Sequence, residues 1–156
     1  MTHPLIGKPA PQLELPSVPD GGPYKLPIGE KPIALFFFPK AGSKGCTMEA
    51  CSFRDAQNEN VTFKRHPGLT VVGISSDSTE KQQIFADQHS LPYPLISDVD
   101  SKAREAYQVD KAFLGLSQGR STFFIDSKGT IKGVCDKMLD YSAHVKFVEK
   151  MLIEIE

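Results

Sequence analysis

Residues 32–55 read PIALFFFPKAGSKGCTMEACSFRD. The first seven letters are a continuous apolar run that stops at a proline, which is typical of a strand buried on both faces. A loop containing two glycines follows, and residues 47–57 then show helical spacing of their apolar positions. The stretch therefore predicts a buried strand that leads through a loop into a helix, with Cys46 at the point where the helix begins.

The rest of the chain alternates strands and helices around this stretch. Residues 69–75 (LTVVGIS) form a second apolar run, so the helix after Cys46 would join two parallel strands by a right-handed crossover. Residues 120–126 (RSTFFID) and 130–135 (TIKGVC) flank a Ser-Lys-Gly turn, which is typical of an antiparallel hairpin. The remaining predicted elements are strands at 23–26 and 94–96, helices at 77–89 and 101–107, and a last helix marked by Val145, Val148, Leu152 and Ile155. Together they predict an α/β fold of the thioredoxin-like type, with a mixed central sheet and helices on both faces.

Length and composition are those of one ordinary soluble domain spanning residues 1–156. The net charge of −1, from 18 basic and 19 acidic residues, gives no electrostatic reason to expect binding to nucleic acid or to an anionic membrane. Residues 1–11 lack the pattern of a secretory signal, so we expect an intracellular protein, most simply a cytoplasmic one, with a nuclear or organellar address left open. Three cysteines in such a chain do not indicate a structural disulfide framework.

Two local predictions concern polar residues outside the opening stretch. Asp77 and Glu80 have the spacing of a capping box at the start of the 77–89 helix. His66, His89 and His144 show no metal-ligand spacing with the cysteines, and we interpret them as surface or capping residues.

The position of Cys46 indicates a reactive thiol. The start of a helix carries unpaired N–H donors and a partial positive charge, and both favour the thiolate, the nucleophilic form of cysteine. A free thiol is already a few per cent ionised at neutral pH, so complete ionisation raises its rate by little more than about tenfold. An efficient site must therefore also stabilise charge on a departing atom. The candidate donors are Ser43, the backbone N–H groups near Gly45 and Cys46, and an arginine.

Cys51 follows Cys46 by five residues. On an intact helix the two Cα atoms would lie about 8–9 Å apart, whereas a disulfide needs roughly 4.4–6.8 Å. The two sulfurs can join only if the first turns of the helix unwind. The spacing thus predicts a local unfolding that accompanies any Cys46–Cys51 bond, and a nearby thiol would also protect Cys46 from over-oxidation.

The segment resembles the peroxiredoxins, whose signature is a proline, three residues, a threonine or serine, two residues and a cysteine. Pro39, Ser43 and Cys46 match that signature. The continuation GCTMEACSFRD is similar to the Q-type, or bacterioferritin-comigratory-protein, subgroup, and RSTFFID and GTIKG fit it too, so the resemblance covers nearly the whole chain. It implies that Ser43 would hydrogen-bond the peroxide and that Pro39 would shield the sulfur from water.

The resemblance also implies roles for the remaining matching residues. Cys46 would be the peroxidatic cysteine, and Cys51 would be the resolving cysteine that forms an intramolecular disulfide with it. Arg120 matches the arginine that supports the thiolate and the peroxide. Glu49 matches a glutamate of the family, and its role stays open.

The implied activity is thiol-specific reduction of hydrogen peroxide and organic hydroperoxides through a sulfenic acid on Cys46. Thioredoxin or glutaredoxin would then reduce the disulfide. The resemblance implies no metal or organic cofactor, and it favours a monomer.

Each of these residues also has an ordinary structural interpretation. These alternatives are a buried apolar role for Cys46 and Cys51, a surface position for Arg120, a turn role for Ser43 and Pro39, and a solvated helix position for Glu49. A thiol-disulfide oxidoreductase, a redox sensor on the same fold and a thiol chaperone are the competing functions. Oxidoreductases of this fold use C-x-x-C and place a proline just before a core strand, whereas this chain has C-x4-C and no proline in residues 119–126. Both features favour the peroxidase.

Overall fold

The computed structural model of the protein describes residues 3–111, 114–115 and 118–156. Its strands are β1 (Glu14–Val18), β2 (Pro23–Lys25), β3 (Ile33–Phe37), β4 (Thr70–Ser75), β5 (Leu95–Ser97), β6 (Ser121–Ile125) and β7 (Ile131–Cys135). Its helices are α1 (Lys44–Glu59), α2 (Val61–Lys64), α3 (Thr79–His89), α4 (Lys102–Ala106) and α5 (Ser142–Glu154). In the described part of the chain no helix has the length and apolar character needed to cross a bilayer.

The strands form one mixed sheet in the order β2-β1-β5-β4-β3-β6-β7. β3, β4 and β5 are parallel neighbours, while β6 is antiparallel to β3 and to β7, as the crossover and the hairpin predicted. β1 and α2 were not predicted from the sequence. β1 pairs antiparallel with β5 through Ser17 and Val18, while Pro16, which lacks the backbone N–H that a strand normally donates, lies opposite Pro23 of the edge strand β2.

The side chains of β3 alternate between two cores, one on each face of the sheet. Phe36, and Phe38 just beyond the strand, pack with buried residues of α1, α2, α3 and α5. Leu35 and Phe37 lie in the second core with α4 and with the chain that precedes β3. Helices therefore cover both faces, as expected, and α1 and α5 share the face on which Cys46 is buried.

The capping box predicted at Asp77 and Glu80 is wrong. α3 begins after Ser78, whose hydroxyl oxygen accepts the backbone N–H three residues further on at 3.3 Å. The Asp77 carboxylate instead accepts the backbone N–H of Ala41 at 2.7 Å and the Ser75 hydroxyl at 2.8 Å. Asp77 thus fixes the loop that leads to Cys46, and this contact with a distant segment takes the place of a local cap.

Candidate active site

Cys46 lies in the first turn of α1, which begins three residues earlier than the sequence predicted. Ser43 is the N-cap and Lys44 is the first helical residue. N–H groups in the first turn have no acceptor within the helix, so the helix start presents donors and a partial positive charge near the sulfur. The Cys46 side chain is only 1% exposed, and any access to it is therefore narrow.

Arg120, immediately before β6, is buried against Cys46. Its Nη2 atom lies 3.4 Å from the Cys46 sulfur, while Nη1 donates to Oε1 of Glu49 at 2.6 Å. Nε donates to the carbonyl of Met138 at 2.8 Å, and the guanidinium stacks on the Tyr141 ring with 4.8 Å between Cζ and the ring centroid. The alternative of a surface arginine is wrong, because contacts on several sides direct this side chain to the thiol.

Glu49 is fully buried one helical turn after Cys46, so the alternative of a solvated helix residue is also wrong. Positions three apart on a helix lie on the same face, which places the carboxyl and the thiol on the same side of Arg120. Burial raises the pKa of Glu49 from 4.5 to about 7, although the charge and hydrogen bond of Arg120 act in the opposite direction. Burial alone would lower the pKa of Arg120, but Glu49 and Cys46 raise it overall.

His144 on α5 is the residue whose interpretation changes most. We expected a surface or capping histidine, but its side chain is completely buried behind Glu49. Its Nδ1 atom lies 2.7 Å from the Thr122 hydroxyl and 3.4 Å from Oε2 of Glu49, and its Nε2 atom lies 2.7 Å from the carbonyl of Lys137. Burial lowers the pKa of His144, and its hydrogen bond to Lys137 acts in the opposite direction.

Ser43 and Pro39 lie in the loop between β3 and α1. The Ser43 hydroxyl donates to the carbonyl of Lys40 at 3.0 Å, so its proton is engaged within the loop. Pro39 is half-buried and directly follows Phe38, which belongs to the same core as Cys46. Arg120 thus contacts both Cys46 and Glu49, while Ser43 and Pro39 lie in the loop that leads to Cys46.

Cys51 is half-buried on α1 and both cysteines are free thiols in a continuous helix. The Tyr93 hydroxyl donates to the carbonyl of Ala50 at 2.6 Å, so a side chain from outside α1 fixes the helix between the two cysteines. Cys135, at the end of β7, is half-buried, and burial raises the pKa of its thiol. Among the described residues, no group of three or more His, Cys, Asp or Glu side chains could hold a metal ion.

Sequence reasoning missed two further residues that shape this site. Arg104 on α4 donates to the carbonyl of Phe38 at 2.8 Å and to that of Gly119 at 3.1 Å, which ties together the chain segments that carry Pro39 and Arg120. Tyr141 covers Gly45, where a Cβ atom would lie 2.5 Å from the ring. Neither residue belongs to a local pattern, since each acts on atoms far away in the sequence.

The chain is similar to several known proteins. The family model described as the AhpC/TSA family matches residues 6–134. A Coxiella burnetii protein named as a bcp peroxiredoxin is 37% identical over 139 residues, covering 85% of this chain and 89% of that protein. The crystal structure of the peroxidoxin BcpB from Mycobacterium tuberculosis has a TM-score of 0.84 and 32% identity, covering 97% of both chains.

The chain therefore belongs to the AhpC/TSA family of peroxiredoxins. Its relatives further identify the Q-type, or bacterioferritin-comigratory-protein, subgroup, and the expected thioredoxin-like fold is confirmed. The chloroplastic peroxiredoxin Q of Sedum lineare is 35% identical over 122 residues, which cover 78% of this chain. The match spans 63% of the length of that protein and 55% of the corresponding protein from Populus jackii.

Proposed function

We propose that the protein is a thiol peroxidase that reduces hydrogen peroxide and organic hydroperoxides with Cys46. The observation that carries this proposal is the 3.4 Å contact between the Cys46 sulfur and Arg120, at the start of a helix and out of bulk water. A guanidinium beside a sulfur favours the thiolate over the thiol, and the same cation stabilises negative charge on the oxygen that departs. Membership of the peroxiredoxin family supports the same chemistry.

The reaction starts when the Cys46 thiolate attacks one peroxide oxygen and the O–O bond breaks. The sulfur becomes a sulfenic acid, and the other oxygen leaves as hydroxide or alkoxide and takes up a proton to give water or an alcohol. Pro39 limits the access of water to the sulfur, and the backbone N–H groups of the first turn of α1 stabilise the peroxide. Ser43 joins them as a hydrogen-bonding partner once its hydroxyl turns from Lys40 to the substrate.

Resolution follows within the same helix. The first turns of α1 unwind, and the Cys51 thiol displaces water from the sulfenic acid to give the Cys46–Cys51 disulfide. An external dithiol, thioredoxin or glutaredoxin, then reduces this disulfide and becomes oxidised itself. We propose that the protein completes this cycle as a monomer, because both cysteines lie on one helix of one chain.

The test is to mix the reduced protein with one equivalent of hydrogen peroxide and to map its thiols by mass spectrometry. The wild type should give a Cys46–Cys51 disulfide, and Cys51→Ser should stop at the sulfenic or sulfinic acid of Cys46. Cys135→Ser is the matched control and should behave like the wild type. If Cys46 stays reduced, the peroxidase proposal fails; a Cys46–Cys135 bond would retain the peroxidase but exclude the unwinding of α1.

A further inference from the structure

Arg104 on α4 is a buried cation that the catalytic cycle above does not use. The residue is 4% exposed, and no carboxylate of the described residues forms an ion pair with it. Its Nε atom is buried and has no hydrogen-bond acceptor in the part of the chain that the structure describes. A buried charge without an ion-pair partner and a buried donor without an acceptor both destabilise a fold, so a guanidinium in this position indicates a role other than stability.

The two terminal nitrogen atoms of Arg104 contact the backbone where the ladder between β3 and β6 ends. Phe37 is the last residue of β3 that pairs with β6. Beyond it, Phe38 is joined to Pro39, and the Phe38 carbonyl is the only hydrogen-bonding group of that peptide bond because proline has no N–H. Nη2 of Arg104 donates to this carbonyl at 2.8 Å, and Nη1 donates to the Gly119 carbonyl at 3.1 Å. One rigid guanidinium thus joins the two chain ends at the point where the sheet no longer pairs them.

The segment that carries Arg120 is also held from a second side. α4 leads into Val109, whose backbone N–H donates to the Arg104 carbonyl at 2.9 Å. A Cβ atom on Gly119 would overlap the carbonyl oxygen of the next residue, Asp110, so only glycine fits there. The side chain of Arg104 and the chain that follows α4 therefore fix the residue immediately before Arg120.

The charge of Arg104 is a second feature, separate from its hydrogen bonds. Burial lowers the pKa of Arg104, and the negative charges of Asp98, Cys46 and Asp77 act in the opposite direction. A guanidinium stays protonated at neutral pH, so Arg104 is a second cation that interacts with the thiolate, besides Arg120. A test of the hydrogen bonds must therefore keep a positive charge at this position.

We propose that Arg104 is a positioning residue of the active site: it fixes the peptide groups that precede Pro39 and Arg120, so that the guanidinium of Arg120 faces the Cys46 sulfur. The effect on peroxide reduction rests on the proposed function, whereas the effect on the reactivity of the thiol does not. The residues that Arg104 joins lie outside α1, so these hydrogen bonds remain formed while the start of that helix unwinds. Arg120 is then in place again when the helix rewinds.

The experiment is a double-mutant cycle on the reduced full-length protein. Arg104→Lys keeps the positive charge, but its single nitrogen atom cannot take the positions of both Nη1 and Nη2. Arg120→Met removes the guanidinium through which Arg104 acts, and a double variant combines the two changes. Lys102→Met is the matched control, because it removes an exposed charge from the same helix. The pH profile of Cys46 alkylation by iodoacetamide and the single-turnover rate of peroxide reduction are measured for each protein, and urea titrations measure its stability.

We expect Arg104→Lys to shift the alkylation profile to higher pH and to slow peroxide reduction by about 10- to 100-fold, because a misplacement of about 1 Å at an active site costs up to about 100-fold. In the Arg120→Met background the same substitution should change the rate by less than about twofold, since no guanidinium is left to position. Lys102→Met should behave like the wild type. A merely structural role of Arg104 would instead lower the stability in urea and slow the reaction by the same factor in both backgrounds.

The inference is overturned if Arg104→Lys leaves the alkylation profile and the peroxide rate at their wild-type values, or if it slows the reaction equally with and without Arg120. If Arg104→Lys does not fold, Arg104→Gln replaces it, and the same two criteria apply to rates measured at a pH where alkylation has reached its plateau. Failure of the proposed function is distinguishable. A protein that reduces no peroxide, but whose alkylation profile responds to Arg104→Lys only when Arg120 is present, would overturn the peroxidase and support the positioning role.

Discussion

Replacing Lys44 by proline should slow disulfide formation by holding the start of α1 wound. Lys44 is the first residue of the helix, where proline is favoured because the N–H that it lacks has no acceptor within the helix. Ser43 has φ −70° and ψ 154°, the extended conformation that a residue before proline requires. The substitution therefore fits the wound helix and restricts the unwound chain.

The size of the effect follows from two contributions. Proline at a compatible position stabilises the ordered state by about 0.4–1 kcal/mol. Removing a positive charge from a helix N-terminus adds about 0.3 kcal/mol for an exposed side chain such as Lys44. The sum, about 0.7–1.3 kcal/mol, corresponds to an unwound population reduced by about three- to ninefold.

The assay is rapid quenching after one equivalent of hydrogen peroxide, with mass spectrometry of the disulfide and of the sulfinic acid formed in excess peroxide. Lys44→Pro should form the Cys46–Cys51 bond about three- to ninefold more slowly and accumulate more sulfinic acid, because the sulfenic acid waits longer for Cys51. Lys44→Gln is the matched control: it removes only the charge, and it should slow the step by less than about twofold. If Lys44→Pro and Lys44→Gln give the same rate, opening of the helix start does not limit resolution and the reasoning is refuted.

Three further predictions test the packing around α1. Tyr93→Phe removes the hydrogen bond to the Ala50 carbonyl, which should weaken α1 by about 0.5–1.5 kcal/mol and speed disulfide formation in the same quench assay, opposite to Lys44→Pro. Gly45→Ala places a methyl group 2.5 Å from Tyr141, so calorimetry should show a melting temperature lower by about 2–12 °C. Adding Tyr141→Ala to the same chain should recover part of this loss. An unchanged melting temperature in Gly45→Ala would contradict the close approach of the Tyr141 ring to Gly45. Because the pKa of Glu49 is raised, the buried carboxyl costs no free energy of unfolding below about pH 4.5 but costs about 3 kcal/mol above pH 7. Urea titrations should therefore show that the stability of the wild type declines between these pH values and that Glu49→Gln removes this decline. Parallel pH profiles of the wild type and Glu49→Gln would contradict the raised pKa.

The parts of the fold that the sequence predicts well are those encoded by local patterns. The apolar run of β3 and the helical spacing of α1 depend on neighbouring residues, and both elements lie where they were predicted. Their ends are less accurate because capping depends on geometry: α1 starts after Ser43, although the Ser43 side chain makes no capping hydrogen bond. Asp77 shows the same limit, because its carboxylate accepts from Ala41, 36 positions away, instead of from its own helix.

The residues of the site also divide into those marked by local sequence patterns and those that depend on distant residues. Cys46 and Cys51 are marked by a dense local motif, and Arg120 is marked by the resemblance of RSTFFID to the peroxiredoxins. His144 carries no such mark, because its surroundings come from Thr122, 22 positions away, and from Glu49 on another helix. The sequence of an amphipathic helix does not show whether a histidine in it is buried, because its hydrogen-bond partners come from residues that are distant in the sequence.

Glu49 connects the two halves of the proposed chemistry because it lies between Cys46 and Cys51 on α1. Joining the two sulfurs requires this part of the helix to unwind, and unwinding withdraws Glu49 from Arg120 and His144 into water. There the carboxyl has its ordinary pKa of 4.5, so any proton that burial retains on it near neutral pH is released. We infer that the same movement that brings Cys51 to the sulfenic acid also dismantles the charge arrangement that made Cys46 reactive. The rate of disulfide formation in Lys44→Pro therefore reports on this local unwinding, whereas the pH-dependent stability of Glu49→Gln reports on the transfer of the same carboxyl to water when the whole chain unfolds.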